Sequence, residues 1–283
     1  MSKNEMYQPG SPNNNTPYVG GLRMKHNIII IMTFIIMILG TALFAYYSSK
    51  NGSRKEANDR IKDEKLYSFM LGGVYFLHSY GGVKDVNDVL ISLVHSKPGN
   101  KDFIKELHSV YTEYFIFPFK KEQAVDARQT LAEYWNMTDA ASYKSGMERL
   151  LDHGHQEHLR QTIDKISAGQ AAGEGEKEAF EFVRAHVSEF PKAGIKSWDI
   201  ARYVNNVAVG YAAGYIDKAE GEAMLEKVPA IARRAYSDWD EYWKGFSLGR
   251  KYWGGDREND PAFDNIIKEM QQCDYSIYKY MPF

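Results

Sequence analysis

Apolar side chains follow two rhythms along this chain: one unbroken block near the start, then a spacing of three and four over the rest. The block, residues 28–47, reads IIIIMTFIIMILGTALFAYY, carries no charge and holds only two threonines and one glycine among its apolar side chains. A helix rises about 1.5 Å per residue, so this run is about 30 Å long, the thickness of the hydrocarbon layer. Backbone groups of a single apolar run in lipid are all paired only if it is helical. Tyr46 and Tyr47 then fall at the interface, where aromatic rings are favoured. The pattern predicts a single N-terminal transmembrane helix within residues 27–47, in contact with the lipid bilayer from Ile28 to Tyr47.

A cleaved signal peptide is the rival reading, with Ile28 to Leu39 as its apolar region and Gly40, Thr41 and Ala42 as the small residues near a cut. No cysteine follows the run, so a lipoprotein anchor at that place is excluded. Orientation stays open. Lys50, Arg54, Lys55, Arg60 and Lys62 behind the helix outnumber Arg23 and Lys25 before it, which favours a cytoplasmic domain. That arrangement also requires Arg23 and Lys25 to cross the membrane.

Residues 1–26, with Pro9, Pro12, Pro17 and three successive asparagines, read as a disordered tail, and residues 48–65 as a charged connector. From 66 to 283 the helical spacing takes over. Leu66, Phe69, Met70, Val74 and Leu77 form one predicted helix face. Val86, Leu90, Leu93 and Val94, then Ile104, Leu107, Val110 and Tyr111, then Ala124, Ala127, Leu131 and Trp135 form the next three. A helix from Asp139 to His153 is expected to stop at Gly154 in a left-handed turn. Another follows over Gln156 to Ile166, then a glycine-rich loop over Ser167 to Glu176 that reads as flexible, and Phe180, Val183 and Val187 resume the pattern. Ser197 is the expected cap of a helix running through Tyr211. The spacings Asp217 with Glu220 and Ser237 with Asp240 predict capping boxes for the last two strong helices, the first of them kinked by Pro229. No stretch alternates with period two, so the fold class is all-α: a membrane helix followed by a compact multi-helix soluble domain.

Charge adds little. Lys and Arg number 35 against 37 Asp and Glu, and leaving out the first 47 residues makes this 32 against 36. Such a balance does not track a nucleic-acid backbone, and no nucleic-acid partner is expected. The lone cysteine, Cys273, excludes a disulfide framework or a multi-cysteine metal site.

Trp198-Asp199-Ile200-Ala201-Arg202, Gly214-Tyr215-Ile216, Ser237-Asp238-Trp239 and Leu248-Gly249-Arg250 with Trp253 resemble the bacterial domain-of-unknown-function family 1266. Leu131, Trp135, Leu150, Leu151, Gly154 and His155 extend the likeness over roughly residues 120–255. The resemblance implies a compact helical bacterial domain and carries over no catalytic residue.

Asp199, Arg202 and Asn206 share one helix face, and Arg250 is placed to join them. With Trp198, Trp253 and His155 they form a candidate cluster, either gripping a ligand or fixing helix packing through a carboxylate–arginine pair. His153, His155 and His158 lie close together, but Gly154 interrupts them and no zinc-protease spacing appears, so no metal site is read there. The stripe Trp239, Tyr242, Trp243, Phe246, Tyr252 and Trp253 reads as core. Gly173-Glu174-Gly175 lacks the parts of a phosphate loop, and no cofactor is implied.

The functional expectation is a non-enzymatic protein-binding module on the bacterial inner membrane, with an immunity protein against an antibacterial toxin as its sharper form. The alternative is a hydrolase-type enzyme built on Asp199, Arg202 and Arg250, with His155 assisting.

Overall fold

The structure is a computed structural model that describes residues 61–98, 100–254 and 257–283. The tail, the run at 28–47 read as the membrane helix, and most of the connector lie outside the described residues. Among the described residues every regular element is helical, and none is long and apolar enough to cross a membrane.

The first expected helix is two. Helix α1 spans Glu64–Met70 and α2 spans Gly73–Ser79. Asp63, placed in the connector by sequence, already caps α1 by accepting from the Leu66 amide at 2.9 Å. Apolar spacing runs unbroken across the join, but a Cβ on Gly72 would lie 2.7 Å from Val204 Cγ1, and one on Gly73 2.0 Å from the Tyr278 hydroxyl. The glycine pair lets the chain bend where two other segments press on it. The bend frees carbonyls that a longer helix would have used. Buried Tyr278 donates to the Met70 carbonyl at 2.8 Å and buried Tyr242 to that of Leu71 at 2.7 Å.

The next helices follow the sequence pattern: α3 Val83–Leu93, α4 Lys101–Phe115, α5 Ala124–Trp135 and α6 Ala140–Asp152. Asp139 caps α6 through the Ser142 amide at 2.7 Å. Helices α7 His155–Ser167 and α8 Lys177–His186 come next. The loop between them is tied by a Lys165–Glu176 ion pair at 2.5 Å.

Helix α9, Lys196–Ala213, is the axis of the fold. From Ser197 to Ala213 only Asn205 and Tyr211 are not buried. A helix enclosed on all sides has no polar face, and here Ala201, Ala208, Gly210, Ala212 and Ala213 let neighbours approach. Ser197 is not its cap. The helix begins one residue earlier, and Ser197 Oγ is buried without a hydrogen bond.

Helix α10, Lys218–Glu226, has the expected Asp217–Glu220 capping box. Pro229 ends this helix rather than kinking it. A new one, α11, runs over Val228–Ala235 with the proline in its first turn, where its missing N–H costs nothing. Helix α12, Trp239–Trp253, is capped by Asp238 through the Glu241 amide, one residue later than expected, because Ser237 instead bonds the Glu241 carboxylate.

Helix α12 crosses α9 on two glycines four apart. A Cβ on Gly245 would lie 2.6 Å from Ser197 Oγ, and one on Gly249 2.6 Å from Trp198 Cβ. Trp239, Tyr242, Trp243 and Phe246 are buried as expected, and Trp253 breaks the stripe at 41% exposed.

The chain closes with α13, Asp260–Gln272, and a short 3-10 turn, Ile277–Lys279. The last residues fold back over the aromatic stripe. Trp239 Nε1 donates to the Met281 carbonyl at 2.9 Å, and the Phe283 ring lies 5.0 Å from that of Trp239. The Ile61 amide donates to the Tyr280 carbonyl at 2.8 Å, joining the first described residue to this closing segment.

Candidate functional site

The first turn of α9 faces the junction between α6 and α7, where one helix exposes carbonyls and the next exposes amides. Lys196 donates to the Leu151 carbonyl at the end of α6. Asp199, with 0% of its surface exposed, accepts from the amides of His155 and Gln156, each at 2.9 Å, at the start of α7. Both charges have the sign that the helix dipoles favour. The arrangement is reciprocal, since the Gln156 side chain accepts from the Ile195 amide at the start of α9 at 2.6 Å.

Gly154 is therefore not a left-handed helix stop. Its φ is −72°, it precedes α7 as the cap residue, and a Cβ there would lie 2.3 Å from the Asp199 carboxyl carbon.

Arg202, one turn after Asp199, donates from Nη2 to Asp199 Oδ1 at 2.5 Å and to His155 Nδ1 at 2.9 Å. An imidazole nitrogen that accepts from a guanidinium is unprotonated, so the remaining proton is on Nε2. Burial pushes His155 down to about 2, helped by the charge of Arg202 and then by His158. The Arg202 guanidinium centre lies 3.6 Å from the Trp198 ring centroid and 5.4 Å from that of Trp135. Burial draws this guanidinium below its ordinary pKa, against the opposing pull of Asp199.

Arg250 does not join the Asp199 carboxylate. Its Nε donates to Asp260 on α13 at 3.0 Å, and its guanidinium lies 3.9 Å from the Phe263 ring centroid. It is linked to the group through Tyr75 of α2, whose hydroxyl feels the charge of both arginines. The Tyr75 hydroxyl, raised by burial, is drawn down by the charges of Arg250 and then Arg202 and by hydrogen bonding with the Trp198 and Arg250 side chains. Exposed Trp253 packs on Trp198 with ring centroids 5.8 Å apart.

The six sequence candidates thus fall into two pieces. His155, Asp199 and Arg202 are directly bonded; Trp198 stacks on that group, and Arg250 and Trp253 border it. Sequence reasoning missed Tyr75 and Gln156. Nothing in the first marks it, since it lies within an apolar helix, whereas Gln156 at a helix start is a recognisable capping position. Asn206 shares the face but is not bonded to the cluster through its amide nitrogen, which is buried and unpaired.

Of the three neighbouring histidines, His155 turns to Arg202 and His158 to the Tyr252 hydroxyl, 2.7 Å away. Among the described residues no group of His, Cys, Asp and Glu is placed to hold a metal ion. Asp199 and His155 have the right chemistry for acid–base work but the wrong connections. Each carboxylate oxygen of Asp199 accepts a backbone amide, and the acceptor nitrogen of His155 is taken by Arg202.

The protein "Uncharacterized protein YbeR" of Escherichia coli (strain K12) is 23% identical over 135 residues, which make up 44% of this chain and 56% of that protein. The chain thus spans little more than half the length of the curated relative it matches. No solved structure matches. The profile of the family described as "Protein of unknown function (DUF1266)" covers residues 130–283, which takes in α6 to α13 and extends the resemblance read from sequence to the last residue. The site residues Trp198, Asp199, Arg202, Arg250, Trp253 and His155 all lie inside that span, and the chain belongs to the DUF1266 family.

Proposed function

We propose that this protein is a membrane-tethered binding module without catalytic activity, in which a helix at residues 28–47 holds the helical domain against a bacterial inner membrane to meet a protein partner. Neutralising an antibacterial toxin at that membrane is the narrower form of the reading. The tether rests on the apolar run itself, which has the length and lack of charge of a membrane span.

One observation supports binding over catalysis. Asp199, the residue best placed by sequence to act as a base, uses both carboxylate oxygens on the start of α7 and one of them also on Arg202. A general base needs a lone pair directed at substrate. Here three of the carboxylate's roughly four lone-pair sites hold the fold and the residue is 0% exposed, which weakens the hydrolase alternative at Asp199, Arg202 and Arg250.

Fractionation of cells producing the full chain tests the tether. The protein should stay with membranes through an alkaline carbonate wash, and deletion of residues 28–47 should release it. Recovery of the full chain in the wash would defeat this reading. For the partner, cells lacking the gene should become sensitive to a toxin delivered by neighbouring cells, and Asp199→Asn should restore protection in proportion to the folded protein present. Loss of protection by a fully folded Asp199→Asn variant would instead revive the enzyme.

A further inference from the structure

His158, Tyr252 and Thr162 form a chain of polar contacts where α7 meets α12. His158 Nδ1 lies 2.7 Å from the Tyr252 hydroxyl, that hydroxyl 3.0 Å from Thr162 Oγ1, and Thr162 Oγ1 3.0 Å from the carbonyl of His158 itself. Tyr252 and Thr162 are buried, while His158 is exposed with its Nδ1 edge turned inward to them.

The protons in this chain fix the state of the imidazole. A hydroxyl has one proton to donate. If Nδ1 were the acceptor, Tyr252 would give it that proton, and Thr162 would have a single proton for both the tyrosine oxygen and the carbonyl. One contact would then be unbonded. With a proton on Nδ1 every contact is a bond: Nδ1 donates to Tyr252, Tyr252 to Thr162, and Thr162 to the carbonyl. Buried polar groups favour the fully bonded arrangement. Neutral His158 therefore keeps its proton on Nδ1 and its lone pair on Nε2, the reverse of His155.

The two histidines answer acid differently. A proton on Nδ1 of His155 would face the Arg202 guanidinium that already donates there. A second proton on His158 goes to Nε2 and disturbs no bond of the chain. The charged and titratable groups around it are Glu176, the cap residue of α8, Lys165 and His155 on its own helix, and Tyr252 on α12. Partial burial lowers its pKa, Glu176 opposes this and Lys165 adds to it, so the second proton arrives below the ordinary histidine range.

We propose that His158 is a proton switch in the surface of the native domain: neutral with its proton on Nδ1, it takes a second at Nε2 with the Tyr252–Thr162 chain kept, and so adds a cation beside the Lys165–Glu176 pair without unfolding. The switch uses only side chains of the described domain and holds with or without a membrane tether.

The test is nitrogen and carbon NMR of the histidine side chains in the full chain, titrated from about pH 7.5 to about pH 4.5, with His158→Gln identifying the signal. Neutral His158 should show the Nδ1–H tautomer, and it should charge while near-ultraviolet circular dichroism still reports the native fold. Tyr252→Phe removes the acceptor for Nδ1. Thr162→Val removes the acceptor for the tyrosine proton, which then turns to Nδ1. Either variant should convert neutral His158 to the Nε2–H tautomer, and each is read by itself, so that a failure of one to fold leaves the other. An Nε2–H tautomer in the wild type, an unchanged tautomer in a folded variant, or charging only as the fold is lost would overturn the proposal.

Discussion

The Asp199 carboxylate occupies the place that a side chain on Gly154 would take. A Cβ at Gly154 would be 2.3 Å from the carboxyl carbon and 2.4 and 2.6 Å from its two oxygens. The glycine is needed for a neighbour's volume, because its φ of −72° is open to any residue. Gly154→Ala should therefore destabilise the domain by about 1–3 kcal/mol through overpacking, as measured by urea unfolding. An unchanged midpoint would show that the carboxylate can withdraw without loss.

Truncating the acid itself should cost more. Asp199→Ala opens two amides at the start of α7 and leaves the Arg202 guanidinium buried without its charge partner. Removing one member of a buried pair costs about 3–5 kcal/mol. Asp199→Asn keeps one acceptor and should fall between wild type and alanine. If both variants unfold with the wild-type midpoint, the reciprocal capping of α7 and α9 is not what holds this junction.

Acid should weaken the fold before the carboxylates titrate. His155 is held near 2 in the folded protein and titrates near 6.5 when unfolded. Between these values the unfolded chain binds the extra proton, so stability falls as pH drops below about 6.5, at up to roughly 1.4 kcal/mol per unit. His158, also lowered by burial, acts in the same direction. Unfolding free energies from pH 7.5 to 4.5 should show this slope, and His155→Gln should reduce it. A flat profile in wild type would mean that the imidazole gains its proton without unfolding.

Gly249→Ala sets helix propensity against packing. Alanine favours the helix by about 1 kcal/mol, but its Cβ would lie 2.6 Å from Trp198 Cβ and 3.2 Å from Ile195 Cβ. Both contacts involve atoms close to the backbone of the central helix or its start, which a rotamer change cannot move. We expect a net loss of stability, larger for Gly249→Val, in thermal unfolding. A gain with alanine would show that α12 can slide on α9.

The parts legible from sequence are those decided locally. The spacing of Ala124, Ala127, Leu131 and Trp135, the helix expected from Asp139 and the Asp217–Glu220 box all appear where the residues put them, because a helix face and its first turn are short-range matters. Gly72 and Gly154 were illegible for the opposite reason. Val204 and Tyr278 press on the first pair of glycines and Asp199 on the second, so partners remote in sequence decided between a bend, a cap and a continued helix. The candidate site divides in the same way. Asp199 and Arg202 lie one turn apart and meet as their spacing implies, while Arg250 turns to Asp260 on the following helix. Tyr75 gave no sign of its link to Arg202 and Arg250, because a tyrosine in an apolar helix looks like any other core residue.

The bond from the Ile61 amide to the Tyr280 carbonyl has a mechanical consequence. It ties the start of α1 to the closing segment at the end of the helical domain, so Ile61 and Tyr280 share any tension that reaches either of them. Beyond that segment lie the bonds of Tyr278 to Met70 and of Trp239 to Met281. Tension arriving at Ile61 would therefore bear on the closing segment as well as on α1, so the two ends of the domain would yield together or not at all.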